Sequence, residues 1–499
     1  MTQYHSVGYK ELLIIITLLV LFPIALILPL IINETGGFFT YSLDDPYIHL
    51  ALAKNIWLGN YGINLSEPSA PSSSILWPFL LAPFSFFSVF FEFVPLIINV
   101  CCLGLLVFAI DKAFSDLKLT SRLTLIAVIL ISLNAYGLVF TGMEHSLQIL
   151  LVAVILLPIL ENIGKVKSTY STPGYAICAL ILLPLIRYEG LAISLPVLFY
   201  IYSKGEVGKA VFALSVITIV MAGFSIFLDS LNLGWLPSSI VAKSSHSDGL
   251  HSTIENLIQN ILKYGFLFLP ISILVVYFWN KDKSLSLVLL TSTVLHFLLG
   301  KYGWFGRYEN YYLLFIILIC LRLIINLDLR VFPAIFCLPL MFFSLSPQIL
   351  RTPLASSNIQ NQQAQMANIA KMLAEPVAVN DLGLMALKSG QYVLDLWGLG
   401  SIDALRYRKT RSDIDWMNEL MEAKHVKYAF IYDTWFPFKP NNWIKVGELK
   451  LLQKRITAVD DTVALYAIGA PSAEKLLIVL KEFSKQQNSS THFSIQTKY

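Results

Sequence analysis

The stretch Tyr41-Ser-Leu-Asp-Asp-Pro-Tyr-Ile-His49 sets two adjacent carboxylates, Asp44 and Asp45, in the first polar segment after an apolar N-terminal run in a chain of 499 residues. Ionisable groups at the edge of a lipid phase are costly to desolvate, so a tandem pair there points to function. A plainer role is also open to them. Asp in the first turn of a helix favours its dipole and Pro46 suits the first helical position, so the pair can cap a helix and still do chemistry.

Working outward, hydrophobic residues make up 56% of the chain and charged residues 14%, against about a quarter charged in soluble domains. The mean hydropathy is +0.66, which implies an integral membrane protein. The net charge of +4 is small and its basic residues are scattered, which argues against a nucleic-acid partner. All five cysteines, Cys101, Cys102, Cys178, Cys320 and Cys337, fall inside apolar runs, which disfavours a disulfide framework or a thiolate metal site. The first apolar run, Leu12 to Ile32, is too long for a signal-peptide core and precedes no small-residue cleavage pattern, so it reads as a retained helix.

Apolar runs at about 12–32, 93–110, 123–141, 145–160, 174–187, 190–202, 209–228, 257–279, 285–300, 308–326 and 331–349 predict a polytopic α-helical membrane protein with about eleven transmembrane helices. That assignment puts Lys112, Lys118, Arg122, Lys165, Lys167, Lys204, Lys209, Lys281, Lys283 and Arg330 on one side, the positive-inside mark of a cytoplasmic face. The opposite side is then extracytoplasmic. The run from Ile75 to Phe91 carries Pro78, Pro83 and a cluster of phenylalanines, which favours an interfacial or re-entrant segment over a crossing. The expected organisation is a transmembrane catalytic domain over 1–350, with its first outer loop at 33–92, and an extracytoplasmic α/β domain over 351–485. In that domain Val377–Asn380, Tyr392–Leu396 and Tyr428–Tyr432 read as strands, between helical patterns at about 359–374, 383–389 and 413–424. The Ser/Gln/Thr-rich tail, 486–499, reads as disordered.

Five polar clusters fall on the outer side under this assignment: Asp44-Asp45, Gly142-Met-Glu-His145, Arg187-Tyr-Glu-Gly190, Gly234 to Lys243, and Gly303-Trp-Phe-Gly-Arg-Tyr-Glu309. A lone arginine at a lipid boundary is ordinarily a snorkelling residue, but two Arg-Tyr-Glu triplets on one face weaken that account. Arg187 and Arg307 offer fixed donors suited to phosphate, Lys243 adds a point charge, and Glu189 or Glu309 can hold a neighbouring guanidinium in plane. For Lys243 the plain alternative is a solvated loop lysine. Glu144, with His145 beside it, reads either as a favourable acid at a helix start or as a cleft carboxylate able to bind a sugar hydroxyl or a divalent cation. Tyr308 and His49 are candidate cleft residues on the same grounds of position, although a lone interfacial histidine is more often structural.

Asp44-Asp-Pro-Tyr-Ile-His-Leu-Ala-Leu-Ala-Lys-Asn-Ile-Trp-Leu-Gly59, followed by Ser72-Ser-Ser-Ile-Leu-Trp-Pro78, resembles the first outer loop of GT-C glycosyltransferases. It is most similar to the bacterial branch that contains cell-wall arabinofuranosyltransferases and related envelope sugar transferases. The resemblance extends to Gly142-Met-Glu144, Arg187-Tyr-Glu-Gly190, Leu236-Pro237 with Ala242-Lys243, Asp381-Leu-Gly383 and Asp395-Leu-Trp-Gly-Leu399. It implies a GT-C-like enzyme of the bacterial inner membrane that moves a sugar, with inversion, from a polyprenyl-phosphate donor to an extracytoplasmic glycan, lipid or protein acceptor. Its catalytic aspartate maps to Asp44 or Asp45. Ser238 stands where that family often has asparagine, a departure that leaves Ser238-Ser239 without an inherited role.

Elementary chemistry agrees with that implication. Displacement at an anomeric carbon needs a base near the acceptor hydroxyl, for which Asp44 is the first candidate with Asp45 as its partner. Departure of a lipid phosphate needs positive charge already in place, from Arg187, Lys243 and Arg307. The rival readings are a flippase of lipid-linked sugars, which should carry midplane ionisable groups on broken helices in two related halves, and an O-antigen ligase or polymerase.

Overall fold

The computed structural model of the chain describes residues 9–88, 90–163, 170–243, 249–326, 348–485 and 491–495. It is mostly helical, with a mixed α/β domain at its C-terminal end. Among the described residues, four helices are long and apolar enough to cross a bilayer: Lys10–Glu34, Phe91–Ala113, His145–Asn162 and Val207–Ser230. A fifth results if Leu257–Leu267 and Ile271–Trp279, bent by 73°, form one span.

The expected eleven crossings are therefore not met, because apolar composition does not guarantee helical continuity. A crossing needs about 20 residues, whereas Leu119–Ser132, Gly174–Ile186, Lys283–Leu299 and Asn310–Asn326 fall in the 10–17 residue class. The run at 123–141 breaks where Asn134 takes φ +49°. The runs at 174–187 and 190–202 are divided at Arg187, as expected, where the backbone is extended at φ −152° and ψ 132°. The run at 331–349 lies almost wholly outside the described residues. Sidedness inferred from the parity of crossings loses its basis with the count. Leu76–Phe86 is also too short to cross, and it bends from α-helix into a 3-10 turn at Ala82 beside Pro83.

Burial separates the long helices. His145–Asn162 is 78% buried over its apolar window and lies at the centre, whereas Val207–Ser230 is 22% buried and turns Phe212, Ile219 and Ile226 outward. A helix apolar all round with most of that surface outside the protein needs an apolar solvent.

In the C-terminal domain the strands are β1 (Val377–Val379), β2 (Val393–Asp395), β3 (Tyr428–Ile431), β4 (Trp443–Leu451), β5 (Thr462–Ile468) and β6 (Thr491–Ile495). They form one sheet in the order β2-β1-β3-β5-β4-β6. The first three are parallel and buried throughout, as covered parallel strands require. The remaining pairings are antiparallel. Strand β6 corrects the expectation of a disordered tail for Thr491–Ile495. Low hydrophobicity hid a short alternating segment that completes the open edge of β4, setting Phe493 opposite Leu449.

The two parts of the chain are joined by direct contacts. Ser357 Oγ donates to the Glu34 carbonyl (2.8 Å), and Asn64 exchanges two hydrogen bonds with the backbone of Val393. The helix Gly383–Lys388 packs on the helix Asp45–Trp57, which brings the domain over the tandem aspartates.

Candidate active site

Asp44 and Asp45 open the helix Asp45–Trp57, with Pro46 in its first turn. They face different ways. Asp44 is 7% exposed and reaches into the C-terminal domain, where its carboxylate accepts from the backbone N–H of Gly383 (2.5 Å) and of Leu384 (2.8 Å). Its role as a cap is therefore real, but the helix it caps lies 339 residues along the chain. Burial, then the Asp381 carboxyl beside it, push Asp44 far above the usual carboxylate range, against the pull of the two amides. Burial also raises Asp381, which accepts from Gln363 Nε2 (2.7 Å) and the Tyr432 hydroxyl (3.0 Å). Each of two buried carboxyls so close makes ionisation of the other more costly.

Asp45 points the other way. Its side chain is 33% exposed and one oxygen lies 2.6 Å from Arg307 Nη2. Together with His49, Ser73, Arg187, Arg307 and Leu399 it lines a cavity of about 20 Å³, room for a single water.

Arg307 is delivered by an unusual turn. Gly303, Trp304, Phe305 and Gly306 all have positive φ, and the Arg307 N–H closes the turn on the Gly303 carbonyl (3.3 Å). Left-handed backbone costs a residue with a Cβ roughly 1–2 kcal/mol, so Trp304 and Phe305 are held there by their surroundings. Two ties do this: Asn134 Nδ2 donates to the Phe305 carbonyl (3.0 Å), and Glu309 accepts from the Gly303 N–H (2.9 Å). Burial pushes Glu309 up to about 7. Of the two arginines, only Arg187 is held by the Glu of its own triplet. Arg307 is held by Asp45 and by the Tyr308 hydroxyl (3.0 Å). Its Nε and Nη1 are buried and find no protein acceptor among the described residues.

Arg187 is more fully engaged. Glu189 takes its Nε (3.2 Å) and Nη2 (2.9 Å), while Nη1 donates to Glu144 (2.7 Å) and to Ser73 Oγ (3.2 Å). Burial alone would lower this guanidinium's pKa, but Glu189 and Glu144 more than offset it and raise the value. The Tyr308 ring lies between the two cations, 5.6 Å from Arg187 and 4.9 Å from Arg307. Glu144 is fully buried beneath this layer, with His49 Nε2 at 3.8 Å, so it braces Arg187 rather than facing the Asp pair. His145 is 1% exposed with its ring toward Tyr308. Among the described residues no group of three or more His, Cys, Asp or Glu side chains is arranged to hold a metal ion. Replacing Arg187 with Met strands a buried carboxylate and is expected to cost about 3–5 kcal/mol. Thermal unfolding in detergent should recover most of that loss when Glu144→Leu is added.

Lys243 ends the helix Ser238–Lys243, and its side chain lies outside the described residues. Ser238 Oγ lies 2.9 Å from the Ala70 carbonyl and 2.7 Å from that of Leu399, tying this loop to the first outer loop and the C-terminal domain. Sequence reasoning quoted the stretches that hold Leu399, Ser73 and Gly303–Gly306 but assigned no role to the first two and no turn to the third. The two glycines flanking Trp304-Phe305 were the available signal for the turn.

Leu399 is held over the cavity by Asp395, whose carboxylate accepts from Trp397 N (2.8 Å), Leu399 N (2.6 Å) and Gly400 N (2.8 Å). Burial outweighs those donors and pushes Asp395 up to about 6. An acid raised in the folded state binds its proton more tightly there than in the unfolded chain, so stability falls as pH rises from about 4 to about 6. The expected loss is about 3 kcal/mol, read from thermal unfolding of the full chain across that range. Asp395→Asn should remove that share of the dependence and leave the share of Asp44, Asp381 and Glu309, which burial also raises.

The comparisons with known proteins are sparse. A family model described as a domain of unknown function (DUF8728) matches residues 357–470. The chain is similar to the oligosaccharyltransferase of Archaeoglobus fulgidus in its complex with Zn and sulfate, at 13% identity, over 84% of this chain and 67% of that one, with a TM-score of 0.47. The apo form of that enzyme aligns at 11% identity, over 86% and 70% of the two chains, with a TM-score of 0.44. No curated protein matches.

Proposed function

We propose that this chain is an inverting glycosyltransferase that moves a sugar from a polyprenyl-phosphate donor to an extracytoplasmic acceptor. The observation that carries the reading is Arg307, 3% exposed, with Nε and Nη1 unpartnered among the described residues in a pocket it shares with Asp45. Buried donors without acceptors are costly, and a phosphate oxygen is the acceptor a guanidinium fits best. A carboxylate and such an anchor on one cavity are the two ends that sugar displacement requires.

In the proposed step Asp45 takes the proton of the acceptor hydroxyl as its oxygen bonds to the anomeric carbon. The bond from that carbon to the phosphate oxygen breaks, and the phosphate leaves with the electron pair toward Arg307. Asp45 is preferred over Asp44 as base because it faces the cavity, whereas Asp44 is occupied by two amides and Asp381. The Arg187 guanidinium, largely neutralised by Glu144 and Glu189, serves as the wall that orients Tyr308 and Arg307.

The test is incubation of purified protein with a radiolabelled polyprenyl-phosphate sugar and candidate acceptors. Acceptor-dependent loss of label from the lipid supports the reading. Passage of intact lipid between leaflets without cleavage overturns it in favour of a transporter.

A further inference from the structure

We infer that His296, acting through Tyr311, is a positioning residue for the Arg187-Tyr-Glu189 turn. The inference rests on the glycosyl-transfer reading above. His296 is completely buried in the helix Lys283–Leu299, outside every motif that reading uses. Its Nδ1 lies 2.8 Å from the Tyr311 hydroxyl, which lies 3.1 Å from the Glu189 carbonyl oxygen. A phenol has one proton to give. If it goes to the carbonyl, which can only accept, the histidine contact is a hydrogen bond only when Nδ1 carries the proton and donates. The order of donation then runs from imidazole to phenol to peptide.

That chain ends on a residue that matters. Glu189 holds Nε and Nη2 of Arg187, so the position of its backbone sets the plane of the guanidinium. Tyr311 follows Arg307 by four residues, at the start of the helix Asn310–Asn326. The Tyr311–Glu189 bond is therefore a direct side-chain-to-backbone link between the two arginine-bearing segments, and it sets the spacing that the Tyr308 ring fills.

The imidazole itself is tightly held. It stacks on Tyr312 at 4.4 Å and 12°, and meets the edges of Tyr302 (4.9 Å) and Tyr311 (5.3 Å). Its Nε2 is buried without a partner among the described residues. Phenylalanine would fill the same cage without stranding a polar atom, so packing alone does not account for histidine. The Nδ1 donor does.

The test compares His296→Phe, His296→Asn and Tyr311→Phe in the full chain. Asparagine presents an amide N–H at about the place of Nδ1 but packs poorly among aromatics, whereas phenylalanine packs well and donates nothing. The expected result is a fall in kcat of roughly 10–100-fold for His296→Phe and Tyr311→Phe, with donor KM little changed and His296→Asn close to wild type. The double variant His296→Phe/Tyr311→Phe should lose no more than either single one. Backbone amides of 188–191 should exchange hydrogen faster in both Phe variants than in wild type or His296→Asn. Phe tolerated better than Asn, or unchanged exchange at 188–191, overturns the inference. Absence of transfer by the wild-type protein would instead overturn the functional reading, and the exchange comparison would still decide this one.

Discussion

Replacing Asp45 with Asn is expected to lower sugar transfer by about 10²–10⁴-fold, the range a general base supplies, with little loss of fold. The side chain is one-third exposed and makes its ion pair with Arg307 at the cavity, so an amide oxygen can still accept from that guanidinium. Asp44→Asn is expected to show the opposite balance. There the substitution turns one acceptor oxygen toward a backbone N–H as an NH2 group, at a cost of about 1–3 kcal/mol. Turnover per folded molecule should fall less than for Asp45→Asn. Initial-rate assays paired with thermal unfolding separate the two, and a larger kinetic loss at position 44 with unchanged stability would reassign the base to Asp44.

Gly383→Ala should be the most damaging small change in the C-terminal domain. A Cβ there would lie 2.1 Å from the Asp44 carbonyl oxygen and 2.6 Å from its Oδ2, and the nearest of these atoms is backbone. Neither side can yield without lifting the helix Gly383–Lys388 off Asp45–Trp57. Overpacking of this kind costs about 1–3 kcal/mol, and the displaced domain carries Leu399 with it. We expect limited proteolysis to cut between the two parts of the chain far faster than in wild type, with loss of transfer even though no group at the cavity is altered. A variant that resists protease and transfers normally would show that the contact is dispensable.

Much of this was legible in the residues. The parallel strands announced themselves as short apolar runs, because a strand covered on both faces has no polar side to disguise it. The β4 and β5 segments did not. The alternation of Trp443–Leu451 is interrupted by a register shift between Lys445 and Gly447, which scrambles its period of two. The two Arg-Tyr-Glu turns could be recognised as a pair, but their partners could not. Glu144 meets Arg187 from 43 residues away, and Asp44 meets Gly383 from 339. Local spacing says which side chains are unusual. It does not say whom they meet, since long-range contacts are set by packing of the whole chain. The count of crossings failed for a related reason: hydropathy sees the apolar residues and misses the dihedral at Asn134 that ends a helix.

A cavity of about 20 Å³ has one further consequence. On the proposed reading a sugar phosphate needs many times that space, so donor binding would require Leu399 and the other residues lining the cavity to draw apart. Movements of this sort displace solvent and commonly run on microsecond to millisecond timescales. Where that opening limits the rate, turnover falls as the viscosity of the medium rises.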